Sequence, residues 1–242
     1  MNTAPDPTGP PVLVTGSNGV LMAAIAASLA PRHPLLLHVH ERTDRAAAIA
    51  SSAEPLLHAD LASPDGPAGL AAAVRKQAPV LSGMVLGAAS FVRTPLDRLA
   101  DGDTAIREVL ALDLAAPLEL VHALHATVAD GGRIVLLTDA GARAGWPSYD
   151  AYVAARTGLE GAVRSLARAL GPRLVVFALA PGLVDGATAP FPPRLALEGT
   201  ALGRPAAAAE VARALERAWT LPPAVLHGAV LTVDGGLALH TP

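Results

Sequence analysis

The chain has 242 residues, 52% of them hydrophobic and 16% charged, with a formal net charge of -3 and no cysteine. This composition excludes a disordered segment, a disulfide scaffold, a cysteine nucleophile and a thiolate metal site. No Lys/Arg block is present, so nucleic acid and anionic membrane surfaces, which are bound through many cationic contacts to phosphate, are not expected partners. Met1 to Pro11 is Pro-rich and polar, unlike a signal peptide, and residues 1–10 read as a flexible N-terminus. No apolar run approaches the ~20 residues of a membrane span, and the expectation is a cytoplasmic protein. Lys76 is the only lysine among 18 basic residues.

In chain order, short apolar runs alternate with alanine-rich stretches of helical composition. Strands are expected near Pro11–Thr15, Leu35–Val39, Pro55–His58, Met84–Gly87, Arg133–Thr138, Leu174–Ala180 and Ala229–Val233. Helices are expected at Leu21–Ala30, Asp44–Ser51, Gly66–Gln77, Thr104–Val128, Tyr149–Leu170 and Ala206–Thr220. The helix from Tyr149 has the clearest period, with Leu159, Val163, Leu166 and Leu170 on one stripe. Strict β/α alternation with right-handed crossovers implies an α/β fold: a single-domain, Rossmann-type, doubly wound parallel sheet of about seven strands flanked by helices. No linker or composition shift divides the chain, so residues 1–242 read as one domain. The irregular stretch 182–205 is expected to be a substrate loop rather than a linker.

Thr15-Gly16-Ser17-Asn18-Gly19 follows the first strand and opens a helix, where backbone N–H groups can hold a pyrophosphate. Further along stand Asp60-Leu61 after strand three, Gly87-Ala88-Ala89-Ser90 after strand four, and Thr138-Asp139 closing strand five. Then come Tyr152-Val153-Ala154-Ala155-Arg156, Ala180-Pro181-Gly182 and Val233-Asp234-Gly235-Gly236. Taken together these motifs resemble the short-chain dehydrogenase/reductase family over nearly the whole chain.

That resemblance implies roles residue by residue. Tyr152 matches the family's general acid/base tyrosine, and Arg156 stands one helical turn on, where the family has lysine. Asp139 occupies the family's serine position, thirteen residues before Tyr152, and Asp113 the position of a helix-four asparagine. An aspartate at 139 is similar to the pteridine reductase subgroup, in which carboxyl and tyrosine together deliver protons to a pterin ring. His38-Val39-His40 and Ser90-Phe91 lean the same way, with Phe91, Trp146 and Leu183 as substrate contacts. The resemblance assigns cofactor contacts to Thr15, Gly16, Ser17, Asn18, Gly19, Asp60, Leu61, Gly87, Ala88, Pro181 and Gly182. Arg42 favours NADP through its 2′-phosphate, whereas Glu41 favours the 2′-hydroxyl of NAD.

The departures from the family pattern are numerous. Val20 and Met22 replace two glycines of the phosphate turn, and a Met22 side chain threatens the dinucleotide sterically. Arginine keeps the charge of lysine but not its proton relay. Three functions therefore stand open: an NADP(H)-dependent reductase of a carbonyl or pterin-like imine, a cofactor-independent acid/base enzyme (dehydratase, isomerase or cyclase), or a non-catalytic subunit without NAD(P). The resemblance implies a homodimer or homotetramer, or a hetero-oligomer with an active paralogue, acting on a small-molecule substrate. No metal is expected: His122/His125 and His38/His40 lack a third ligand at a convincing spacing.

Overall fold

Side chains along each strand alternate between two helical layers, and this alternation decides the architecture. Val12 and Val14 pack with Val135, Leu137, Val175, Phe177 and Leu179 on one face of the sheet. Leu13 packs with Ile134, Leu136, Val176 and Ala178 on the other. A computed structural model describes residues 9–50, 56–97, 103–187 and 199–239.

Seven parallel strands form the sheet: β1 (Val12–Thr15), β2 (Leu35–Val39), β3 (Leu57–His58), β4 (Leu81–Leu86), β5 (Val128–Leu137), β6 (Val175–Pro181) and β7 (Val230–Val233). Their spatial order is β3-β2-β1-β4-β5-β6-β7. The order reverses between β1 and β4, and in open α/β sheets a ligand crevice lies at the carboxyl ends of the strands at that point.

On the first face, α1 (Val20–Leu29) packs on α7 (Ala208–Thr220). Met22, Ile25, Ala26 and Leu29 meet the same apolar cluster as Val211, Leu215 and Trp219. The opposite face carries α3 (Gly66–Gln77), α5 (Ala116–Leu124) and α6 (Asp150–Leu170). Short helices α2 (Asp44–Ile49), α4 (Ala105–Leu110) and α8 (Pro223–Leu226) complete the described set.

The helix expected at Thr104–Val128 is not continuous. A π turn at Ala111–Ala115 separates α4 from α5, and His125–Thr127 is 3-10 helix. The wider turn brings Asp113 fully inside, against Arg156 of α6. By length and composition alone Ala105–Thr127 is long and apolar enough to cross a membrane, at a mean hydropathy of 1.4. Its residues instead pack between α3 and α6 and carry the buried Asp113.

Two strands begin earlier than expected, β4 at Leu81 and β5 at Val128, because pairing across β4 and β5 recruits residues whose own patterning is weak. In the stretch 182–205, residues 188–198, including Phe191, Leu195 and Leu197, lie outside the described residues, as do residues 1–8. The two described ends of the stretch are stitched together by a parallel bridge, Asp185 N–H donating to Ala206 C=O and Ala206 N–H to Leu183 C=O, each at 2.8 Å.

Candidate active site

A cleft of about 970 Å³ opens at the reversal of strand order, running from Gly16, Asn18 and Arg42 at one end to Asp139, Tyr152 and Trp146 at the other. Its phosphate end is built by anchoring the turn after β1 on every side. Gly16 has φ +72°, and a Cβ there would come within 2.8 Å of Ala88 Cα, so only glycine suits the approach of the β1 and β4 ends. Gly19 N–H donates to Gly16 C=O at 2.9 Å, and Gly19 is the N-cap of α1 without a side-chain cap. The first-turn amides of that ten-residue helix are thus left uncapped beside the cleft, the arrangement that receives an anion.

Thr15 and Ser17, expected as cofactor contacts, do not line the cleft. The Oγ1 of buried Thr15 accepts from Gly87 N–H at 3.0 Å and Ala88 N–H at 3.2 Å, tying the β4 loop to β1. Ser17 Oγ donates to Val14 C=O at 2.8 Å inside the fold. Asn18 lines the cleft, and its Oδ1 accepts from Arg45 N–H and Ala46 N–H, serving as a distant cap for α2.

Met22 lines the cleft, as does Val20, with most of its side chain packed against Gly87. It is buried, and its thioether lies so close to Gly87 that a Cβ on Gly87 would fall 2.2 Å from the sulfur. The large side chain in the turn is accommodated by a glycine on the neighbouring strand end.

Around the ribose end stand Glu41, Arg42, Asp60 and Leu61. Arg42 is 75% exposed and makes a 3.6 Å ion pair with Asp44. Arg45 also lines the cleft, its guanidinium donating to Asn18 C=O at 3.1 Å. Sequence reading passed over it, although its place three residues after Arg42 in the first turn of α2 puts both near one point. The Asp60 carboxylate accepts from Ala62 N–H at 3.0 Å in a turn, and Leu61 is part of the core.

The catalytic end is organised by α6, whose helical period puts Tyr152, Arg156, Leu159 and Val163 on its buried side. Tyr152 hydroxyl donates to Asp139 Oδ2 at 3.1 Å, and Trp146 Nε1–H donates to the same oxygen at 3.1 Å. Asp139 Oδ1 accepts from Gly141 N–H at 2.7 Å. A side chain at 141 would strike the Trp146 ring, a Cβ falling 2.1 Å from it, so Gly141 makes room for the indole that reaches Asp139.

Behind the tyrosine, the Arg156 guanidinium lies 5.1 Å from the centre of the Tyr152 ring. It donates to Leu137 C=O at 2.9 Å and forms a bonded ion pair with Asp113. Asp113 also receives Ser90 Oγ–H at 2.7 Å and Ser90 N–H at 3.0 Å. Ser90, Asp113 and Arg156 all differ in type from the family pattern, and here they are bonded to one another as one network.

Electrostatics follow from burial. Burial pushes the Tyr152 hydroxyl well above its usual value, with Asp139 and Asp113 adding to the shift and Arg156 opposing it. Burial also pushes the Asp139 carboxyl up, against its donors Trp146, Gly141 and Tyr152. Desolvation works against the charge of Arg156, but the carboxylate of Asp113 and the neighbouring Tyr152 and Asp139 raise its pKa on balance. The tyrosine is held protonated, beside a carboxyl whose pKa burial raises and its hydrogen-bond donors lower.

Phe91 lines the cleft but is already engaged, stacked on Tyr149 at 4.3 Å and edge-on to Tyr152 at 4.8 Å. Pro181, Gly182, Leu183 and Val184 line the cleft, as do Gly87 and Ala88. Gly182 is pressed against Asp234, where a Cβ would come within 2.7 Å of that side chain.

Comparison with known proteins agrees with this construction. A family model described as enoyl-(acyl carrier protein) reductase matches residues 23–238. A dihydromonapterin reductase from Klebsiella pneumoniae is 28% identical over 183 residues, covering 72% of this chain and 74% of that protein. One from Citrobacter koseri is 25% identical, with the same coverage. A short-chain dehydrogenase/reductase from Serratia marcescens superposes with a TM-score of 0.84 at 25% identity, covering 95% of this chain and 98% of that one. The angucycline C-6 ketoreductase LanV, solved with bound NADP, shares the fold at a TM-score of 0.84 and 23% identity, over 98% of each chain. With a Rossmann-type sheet, a glycine turn at its switch point and a tyrosine–arginine pair on α6, this chain belongs to the short-chain dehydrogenase/reductase family of oxidoreductases, and within it is similar to the pteridine reductases.

Proposed function

We propose that the protein is an NADP(H)-dependent reductase of a carbonyl or of a pterin-like imine. The observation that carries the reading is the Tyr152 hydroxyl on Asp139 at the catalytic end of a cleft whose other end is an uncapped helix N-terminus. Gly16, Gly19 and the first turn of α1 fit a pyrophosphate, and Arg42 and Arg45 fit a 2′-phosphate, which favours NADP over NAD. When bound, the reduced nicotinamide supplies a hydride to the substrate carbon.

The chain's own residues supply the proton. Tyr152, kept neutral by burial, gives its hydroxyl proton to the substrate oxygen or nitrogen. Asp139 lies within hydrogen-bond reach and can return a proton to the tyrosine. Arg156 stabilises negative charge developing on the phenolic oxygen but passes on no proton, since a guanidinium does not deprotonate in proteins. Burial keeps the tyrosine protonated but makes it a weaker acid, and the Arg156 cation opposes that shift and so eases release of the proton. The dihydromonapterin reductases among the relatives support a pterin-like substrate.

The cofactor-independent reading rests on Val20 and Met22 filling the pyrophosphate site; both line the cleft, and Met22 also packs against Gly87. Titration of the purified protein with NADPH and NADH, followed by NADPH oxidation assays with dihydropterins and quinones, tests the proposal. Micromolar NADPH binding with turnover is expected. Binding of neither nucleotide would overturn it.

A further inference from the structure

The carboxyl ends of β1, β2 and β3 converge on one buried side chain, His38, which is 2% exposed. Its Nδ1 accepts from Gly16 N–H at 3.3 Å, and its Nε2 faces Ala59 C=O at 3.1 Å. A backbone N–H only donates and a carbonyl only accepts, so both bonds require a neutral ring with its proton on Nε2. The backbone carbonyl of the same residue accepts from Ser17 N–H at 2.9 Å. One residue of β2 therefore holds two successive amides of the phosphate turn.

The turn has little freedom to settle without this support. Gly16 has positive φ and already presses on Ala88, while Gly19 hangs from Gly16 C=O and begins α1. A rotation of the Gly16 peptide is passed directly to the uncapped first turn of that helix. His38 also lines the cleft itself. The groups nearest its ring in charge are His40 and His58, and burial holds His38 at a pKa of about 4.

We propose that His38 is a positioning residue for dinucleotide binding: its Nδ1 lone pair, rather than its bulk, orients the Gly16 turn and with it the amides of α1. The ligand in this inference rests on the proposed NADP(H) reading; the geometry of the turn does not.

Two conservative variants separate the two bonds of the ring. In His38→Asn the side-chain oxygen stands near the Nδ1 position and keeps an acceptor for Gly16. In His38→Gln the amide reaches toward the Nε2 position and keeps the donor to Ala59. His38→Leu keeps neither. Each is titrated with NADPH, and hydrogen exchange of the Gly16 amide is followed in the cofactor-free proteins.

His38→Asn is expected to bind NADPH within about threefold of the parent protein, while His38→Gln and His38→Leu weaken it by roughly tenfold or more, the scale of one lost hydrogen bond. Gly16 exchange is expected to accelerate in the same two variants. Parent-like binding by His38→Gln, or a loss in His38→Asn as large as in His38→Leu, would overturn the proposal. If His38→Leu does not fold, the Asn and Gln pair still decides. If the parent protein binds neither NADPH nor NADH, the cofactor reading fails, and equal Gly16 exchange in the Asn and Gln variants would then be what overturns the positioning role.

Discussion

Tyr152 and its neighbours show how burial assigns chemical roles to single residues. The hydroxyl keeps its proton because the surrounding core disfavours a phenolate, even with the Arg156 cation beneath the ring. Tyr152→Phe is expected to lower turnover by about 10²–10⁴-fold, the typical worth of a positioned general acid, with NADPH affinity unchanged in a direct titration. The Asp113–Arg156 pair has no exposed alternative, since both side chains are buried. Asp113→Asn leaves the guanidinium uncompensated in the core and is expected to cost about 3–5 kcal/mol by urea denaturation. Asp113→Leu combined with Arg156→Met should cost less than Asp113→Asn alone, because no charge then remains buried. A larger loss in the double variant would argue that the pair is not a coupled unit. The Tyr152–Arg156 spacing was legible in the sequence, because i and i+4 on a helix share a face. The bonds from Asp113 to Ser90 and Arg156 were not, since they join residues on three separate segments.

At the scale of elements, the site depends on how strand ends and helix starts meet. The end of β1 touches that of β4 through Gly16 and Ala88, and a methyl group at 16 meets backbone rather than a flexible side chain. Gly16→Ala, which adds positive-φ strain to that clash, is expected to destabilise the fold by at least about 1–3 kcal/mol and to abolish NADPH binding. Parent-like stability and binding in that variant would show the turn to be more plastic than its geometry implies.

His38 links β1, β2 and β3 and makes their junction sensitive to acid. Its folded pKa of about 4 lies below the ordinary 6.5, so between these values the unfolded chain binds more protons than the folded one. Stability is fully present above about pH 6.5 and falls as pH drops toward 4, by up to about 3 kcal/mol from this residue. Asp139 acts with the opposite sign: burial raises its pKa, which favours the fold in acid, and that contribution is lost as pH rises through its folded pKa. Denaturation curves at pH 7 and pH 5 are expected to show a smaller acid loss in His38→Asn than in the parent protein, and equal losses would contradict the assignment. The single helix expected at Thr104–Val128 shows where element reading failed. An apolar helical period does not reveal a π turn, whose position is set by the need to bring Asp113 to Arg156.

Over the whole molecule, binding energy at the cleft is felt as global stability, because the nucleotide would span elements from both halves of the sheet. NADPH at a hundred times its Kd is expected to add about 2.7 kcal/mol and raise Tm by roughly 5–10 °C, with a smaller rise for NADH at the same concentration. No rise with either nucleotide at millimolar concentration would speak against a dinucleotide site.

The sequence by itself determined the layered α/β fold. Short continuous apolar runs, as expected of parallel strands covered on both faces, and alanine-rich stretches of helical composition between them are local properties of the chain. Thus Leu35–Val39 and Gly66–Gln77 occupy the spans read from the pattern. The family resemblance singled out Asp139, Tyr152 and Arg156 in the sequence, and in the structure the Tyr152 hydroxyl donates to Asp139. Only the tertiary structure decided whether the altered residues fit. Met22 is accommodated by Gly87, Arg156 is neutralised by Asp113, and His38 is fixed by Gly16 and Ala59. Each of these depends on a partner far away in sequence, and steric fit and buried charge are settled by the partner rather than by the residue.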